Sequence, residues 1–161
     1  MALASTGLPC AITDNSSTAR ARLGDLYGTW SATYGHQIWR YVQNKSGGDY
    51  TVGLGVMQEN GTDLYESGLS GANTPTPRML GIAQHTISNG NYGFVLCNGV
   101  GVVVSDGSTT ADTPQVSVAA GQFTDWLTGT DAKDIAVCVH ALETEAPAGA
   151  GGFFKAHIRC L

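Results

Sequence analysis

Charge is scarce in this chain of 161 residues: only 13% are Asp, Glu, Lys or Arg, about half the roughly 25% usual in soluble proteins. Its surface must therefore be dressed largely by Ser, Thr, Asn and Gln. The eight Lys and Arg are scattered and outnumbered by thirteen Asp and Glu, for a net charge of -5. A nucleic-acid backbone would be repelled, so that partner is not expected. No apolar run approaches the ~20 residues of a membrane-crossing helix, so no membrane partner is expected either. The opening MALASTGLPCAITDNSS lacks a basic stretch followed by a long apolar one, so no secretory signal is expected. Without one, the Asn-x-Ser/Thr triplets at Asn15, Asn44 and Asn60 are chance products of an Asn, Ser and Thr-rich chain.

The motifs of common chemistries are missing as well. Cys10, Cys97, Cys138 and Cys160 lie far apart with no CxxC pair. They read as reduced thiols, and Cys97 and Cys138 sit inside apolar runs where thiols act as small hydrophobes. Cys138 with His140, and His157 with Cys160, are the nearest approach to a metal set. A regular strand places His157 and Cys160 on opposite faces, and closed zinc sites use tighter pairs, so no metal or other cofactor is expected. Gly53-x-Gly55 and Gly99-x-Gly101 lack the third glycine of a dinucleotide fingerprint, with Gln58 and Val104 in its place. Ser67 and Ser70 are in no GxSxG elbow, and His36, His85 and His140 have no Asp and Ser in an order that suggests a triad. Glu143 and Glu145 look like a solvated strand end rather than a glycosidase pair. An enzyme is not expected.

What the chain does have is glycine, 22 residues, almost twice the number expected from the usual ~7%, and many short β-favouring runs. Its length suits one domain. Residues 1–35 show no sustained period beyond a turn or two of helix at Ser17–Leu26, and read as an N-terminal arm or wrapping segment whose Leu23, Leu26, Tyr27 and Trp30 argue against disorder. Residues 36–161 read as a single β domain. His36–Gln43 alternates as a strand, with Gln37, Trp39 and Tyr41 on one face, and Tyr50–Gln58 follows after a Gly-rich turn.

Residues 79–104 hold the strongest local signal: two apolar runs flank Ser88-Asn89-Gly90-Asn91, and Asn-Gly between such runs marks a hairpin. Glu66–Arg78, with Pro75 and Pro77, reads as a loop, as does Ser105–Gln115 with Pro114. Val116–Val118 reads as a short strand. Phe123, Trp126 and Leu127 have helical spacing and predict a short helix or turn within Gly121–Asp131. Asp134–Leu142 and Phe153–Cys160 alternate as strands. The sum is an all-β fold, an antiparallel sandwich or small barrel with an extended N-terminal arm.

Gly81-Ile82-Ala83, the Asn-Gly turn, Tyr92-Gly93-Phe94-Val95 and Gly99-Val100, with the closing Gly152-Phe153-Phe154-Lys155-Ala156-His157-Ile158, resemble capsid decoration (cement) proteins of tailed bacteriophages, including cyanophage-type head decoration proteins. The resemblance covers about a third of the chain. It implies a non-enzymatic virion protein, made in the host cytoplasm, that trimerises and binds the major capsid protein on the outside of the shell. Under it, Leu23, Leu26, Tyr27, Trp30, Tyr34 and Trp126 are the candidate interface residues, while Trp39, inside a strand, is expected in the core. A neck, tail or head-fibre base part suits the same composition, and exposed aromatics on a sheet would also suit a carbohydrate-binding module.

Overall fold

The computed structural model describes residues 7–59, 64–71, 78–126, 138–146, 149 and 151–161. Within them run β1 (Leu26–Ser31), β2 (Gly35–Asn44), β3 (Gly55–Gln58), β4 (Glu66–Leu69), β5 (Met79–Ala83), β6 (Tyr92–Val104), β7 (Pro114–Ser117), β8 (Phe123–Asp125), β9 (Val139–Ala141) and β10 (Phe153–Arg159). The fold is all-β. The expected Asn60-Gly61 turn, the Pro75 and Pro77 part of the 66–78 loop, Leu127–Asp131 and the first half of the Asp134–Leu142 strand lie outside the described residues.

The pairings β2–β4, β4–β3, β3–β5, β5–β6 and β6–β2 close a small ring, with β1 attached to β2 and the series β10-β9-β7-β8 running outward from β6. Alternation along the ring strands sends side chains to two cores. Val42, Tyr50, Val56, Leu80, Ala83, Ile87 and Val95 form one cluster, drawn from ring strands and the loops between them. Their neighbours Tyr41, Ile82, Phe94 and Leu96 face the other way, into a larger core shared with Phe123, Val139, Phe154, Ala156 and Ile158. This is why β5 is buried at every position: it serves both cores, so its sequence is apolar throughout rather than alternating. On β10 only Phe154, Ala156 and Ile158 are buried, the period of two that a strand with one solvated face requires.

Most ladders are antiparallel, as expected, but β2–β4 is parallel and makes the sheet mixed. The stretch expected to be a loop from Glu66 onward thus begins as a strand, because its backbone is taken up by β2 on one side and β3 on the other. Here the Ser67 hydroxyl donates to Gln43 O at 2.7 Å, and β4 lies between β2 and β3, which therefore cannot form a simple hairpin with each other. The expected helix or turn after Gly121 is instead β8, because Phe123 pairs with Ser117 and is fully buried.

The stretch 79–104 forms two adjacent antiparallel strands, but only Ile82–Leu96 and Ala83–Val95 pair. The turn itself is present, with Asn91 N donating to Ser88 O at 2.9 Å. Tyr92 and Ile87 are drawn away from a tight hairpin by bridges to Ser16 and Tyr50. Along β6 the register against β2 shifts, with Ile38 opposite Asn98 but Trp39 opposite Leu96. Gly99 follows this bulge at φ +119°, and a Cβ there would lie 2.7 Å from His36 O. Beyond it β6 changes partner, from β2 to β10.

The arm expected at residues 1–35 differs most from the structure. Leu8, Cys10, Ile12, Ala21, Leu23 and Tyr27 pack against the larger core, and Leu26–Ser31 pairs with β2 along its whole length. Gly24 N donates to Tyr41 O, and Tyr41 N donates to Asp25 O. From residue 7 onward this segment is part of the body. Residues 7–25, ahead of β1, lack a period because they are fixed by hydrogen bonds to Tyr41 and Tyr92 rather than by a regular element.

Candidate interaction surfaces

The β1–β2 hairpin turns at residues 32–34, where Ser31 Oγ accepts hydrogen bonds from Thr33 N at 3.2 Å and Tyr34 N at 3.1 Å. β1 ends the sheet on this side. Four residues apart on its outer face, Leu26 is 50% and Trp30 68% exposed. Tyr34, half-buried, joins Trp30 in lining a groove of about 360 Å³. Of the other residues considered for an interface, Leu23 and Tyr27 are turned inward. Tyr27 packs edge-on against Phe94, with ring centroids 5.6 Å apart. Trp126 is half-buried next to β8, at the far end of the sheet, and its buried Nε1 has no hydrogen-bond partner among the described residues. Trp39 is in the core as expected, and its Nε1 donates to Thr29 Oγ1 at 2.8 Å.

A second surface lies on the solvated side of β9 and β10. Phe153, Lys155 and Arg159 are exposed there, with His157 half-buried directly across from His140. Leu142 and Leu161 extend the exposed apolar area. Burial first, then the charges of Arg159 and His140, hold the His157 pKa below the usual histidine value. Lys155 Nζ lies 3.4 Å from Glu143 Oε2. Cys138, His140, His157 and Arg159 border a cavity of about 340 Å³ on this face.

Of the ligands considered from the sequence, Cys138, His140 and His157 border one cavity, and Cys160 does not line it. His140 is exposed, whereas Cys160 is buried in the larger core with Cys97 and Cys138. All four cysteines are free. A hydrogen bond with Cys138, then burial, pushes the Cys160 thiol well up. Burial pushes Cys97 up to about 11. Both are therefore protonated and poor nucleophiles or ligands at neutral pH. Among the described residues, no group of three or more His, Cys, Asp and Glu is placed to hold a metal ion.

Sequence reasoning missed a polar network beside β7. Glu145, expected on a solvated edge with Glu143, is only 8% exposed. Its Oε2 accepts from Ser105 Oγ and, at 3.0 Å, from Thr109 N. Thr109 Oγ1 donates to Ser105 Oγ at 2.9 Å. On the other side of Gln115, Asp125 Oδ1 accepts from Gln115 Nε2 at 2.7 Å and Thr113 Oγ1 at 2.6 Å. Burial raises the Asp125 carboxyl, but bonds from Thr113, Thr110 and Gln115 outweigh it and hold the pKa below 3.8. These groups satisfy one another and pin the Ser105–Gln115 loop to the Glu145 segment. The only sequence signal is the density of hydroxyls in that loop, which does not name a partner so far along the chain.

No protein-family model matches the sequence, and no curated protein is significantly similar to it. Among solved structures, the fold is similar to the N base of the head fibre protein gp8.5 of bacteriophage phi29, with a TM-score of 0.55 and 14% identity. The likeness covers 77% of this chain and 95% of that one. It defines a shared β fold.

Proposed function

We propose that the chain is a structural protein of a tailed-phage virion, carried on the outside of the head. The observation that carries this reading is the fold likeness spanning 95% of a head-fibre base. The sequence resemblance to phage head decoration proteins over residues 79–104 supports the same class independently.

Within that class, the fibre-base role is the first reading, because the likeness covers almost the whole of that base. In this role the domain is a mount: one surface binds the major capsid protein or sister subunits, and the body holds a projecting element away from the shell. The β9–β10 face suits the contact. It combines exposed Leu142, Phe153 and Leu161 with Lys155 and Arg159, in a chain whose net charge is -5. An apolar centre flanked by Arg is a common interface composition, and stable association needs about 800 Å² from each partner. A homotrimer is the expected assembly.

The second reading is a cement protein that stabilises the capsid, favoured by the residue 79–104 resemblance. Heads assembled without the protein separate the two. A fibre base leaves heads as heat-resistant as before but without projections. A cement protein leaves heads that lose DNA at lower temperature. Heads unchanged in both respects contradict either role.

A further inference from the structure

The groove beside β1 has a chemistry of its own. Trp30 and Tyr34 supply aromatic surface over the buried Trp39, and Thr29, Ser31 and Gln37 supply polar groups. Among the described residues that line it, none is charged. In a chain of low but real charge, an uncharged groove selects against ionic ligands, because an ion entering it would lose water without gaining a partner. Its volume, about 360 Å³, falls in the range of roughly 300–1,000 Å³ that small-ligand sites occupy.

The polar groups are already oriented by the fold. Thr29 Oγ1 accepts from Trp39 Nε1 at 2.8 Å, which leaves the threonine proton as a donor. Ser31 Oγ accepts from Thr33 N and Tyr34 N, so its proton is likewise left to donate. Gln37 Nε2 donates to Val100 O at 2.8 Å, which fixes the amide plane and leaves its Oε1 as the acceptor. Gln84 braces the groove wall by clamping Val102, donating to its O at 2.8 Å and accepting from its N at 2.9 Å. The Trp30 indole, 68% exposed, leaves most of a large apolar plane open to solvent.

We infer that this groove binds a neutral oligosaccharide, one sugar unit hydrogen-bonded by Thr29, Ser31 and Gln37 and a neighbouring unit stacked on the Trp30 ring at the rim. A pyranose presents an apolar C–H face for the indole and hydroxyls around its edge for fixed donors and acceptors. The inference does not depend on the proposed role in the virion.

The test uses the full chain, titrated with neutral tetrasaccharides of glucose, mannose and N-acetylglucosamine at millimolar concentration. Tetragalacturonate is the charged comparison. Binding is followed by tryptophan fluorescence and by saturation-transfer NMR. At least one neutral sugar is expected to bind, about tenfold more weakly after Trp30→Ala, with most affinity retained in Trp30→Tyr. Trp30 is exposed, so the alanine variant keeps its melting temperature. No signal from any neutral sugar overturns the inference. So does binding unchanged by Trp30→Ala, or stronger binding of tetragalacturonate.

Discussion

At the scale of single residues, the most consequential side chain is Glu145. It joins Ser105 and Thr109 in a buried, mutually satisfied set. Removing the carboxylate leaves Ser105 Oγ and Thr109 N without their acceptor. Glu145→Ala is therefore expected to lower stability by about 2–3 kcal/mol in urea unfolding, whereas Glu143→Ala, on the exposed pair with Lys155, changes it by less than about 1 kcal/mol. Equal effects of the two substitutions would show that the buried network is not what holds the loop. Asp125 gives the network a pH dependence. Its folded pKa lies below the ordinary carboxylate value, so its contribution is complete above the unfolded pKa of about 4 and is lost as pH falls through the folded value. Asp125→Asn is expected to flatten the stability profile below about pH 4, measured by urea midpoint against pH. An unchanged acid limb would contradict that assignment.

At the scale of elements, the N-terminal segment matters most. Leu8, Ile12, Leu23 and Tyr27 lie against the larger core, and β1 completes an edge of β2. Deleting residues 1–25 exposes that core and is expected to cost about 3 kcal/mol or more, seen as a lowered urea midpoint. A deletion variant as stable as the full chain would restore the reading of this segment as a detachable arm. β2 and β10 are legible in the sequence because Gln37, Trp39 and Tyr41, or Phe154, Ala156 and Ile158, alternate cleanly with residues on the opposite face. The N-terminal segment is not legible, because its contacts are to residues far along the chain and impose no period. β8 hides behind Phe123, Trp126 and Leu127, which mimic helical spacing, while the cross-strand pairing of Phe123 with Ser117 decides the matter. Of the candidate interface, Trp30 and Leu26 are exposed, whereas Leu23 and Tyr27 are committed to the core. The Glu145 network shows in the sequence only as the hydroxyl-rich 105–115 loop, which does not name its partner.

At the scale of the whole molecule, one chain combines a closed ring of strands with a lateral extension built on the second half of β6. Both share the larger core, which makes the body stiff across its width. The β1 groove and the β9–β10 face adjoin along β6, where Val102 of the groove pairs with Lys155 of β10. The chain is weakly charged, so salt is expected to affect the proposed assembly little. The place proposed for this protein is the outside of a phage head. Antibody labelling of intact, purified particles viewed by electron microscopy tests it most directly: label on the head surface is the predicted result, and particles that lack the protein, or carry it only on the tail, would contradict it.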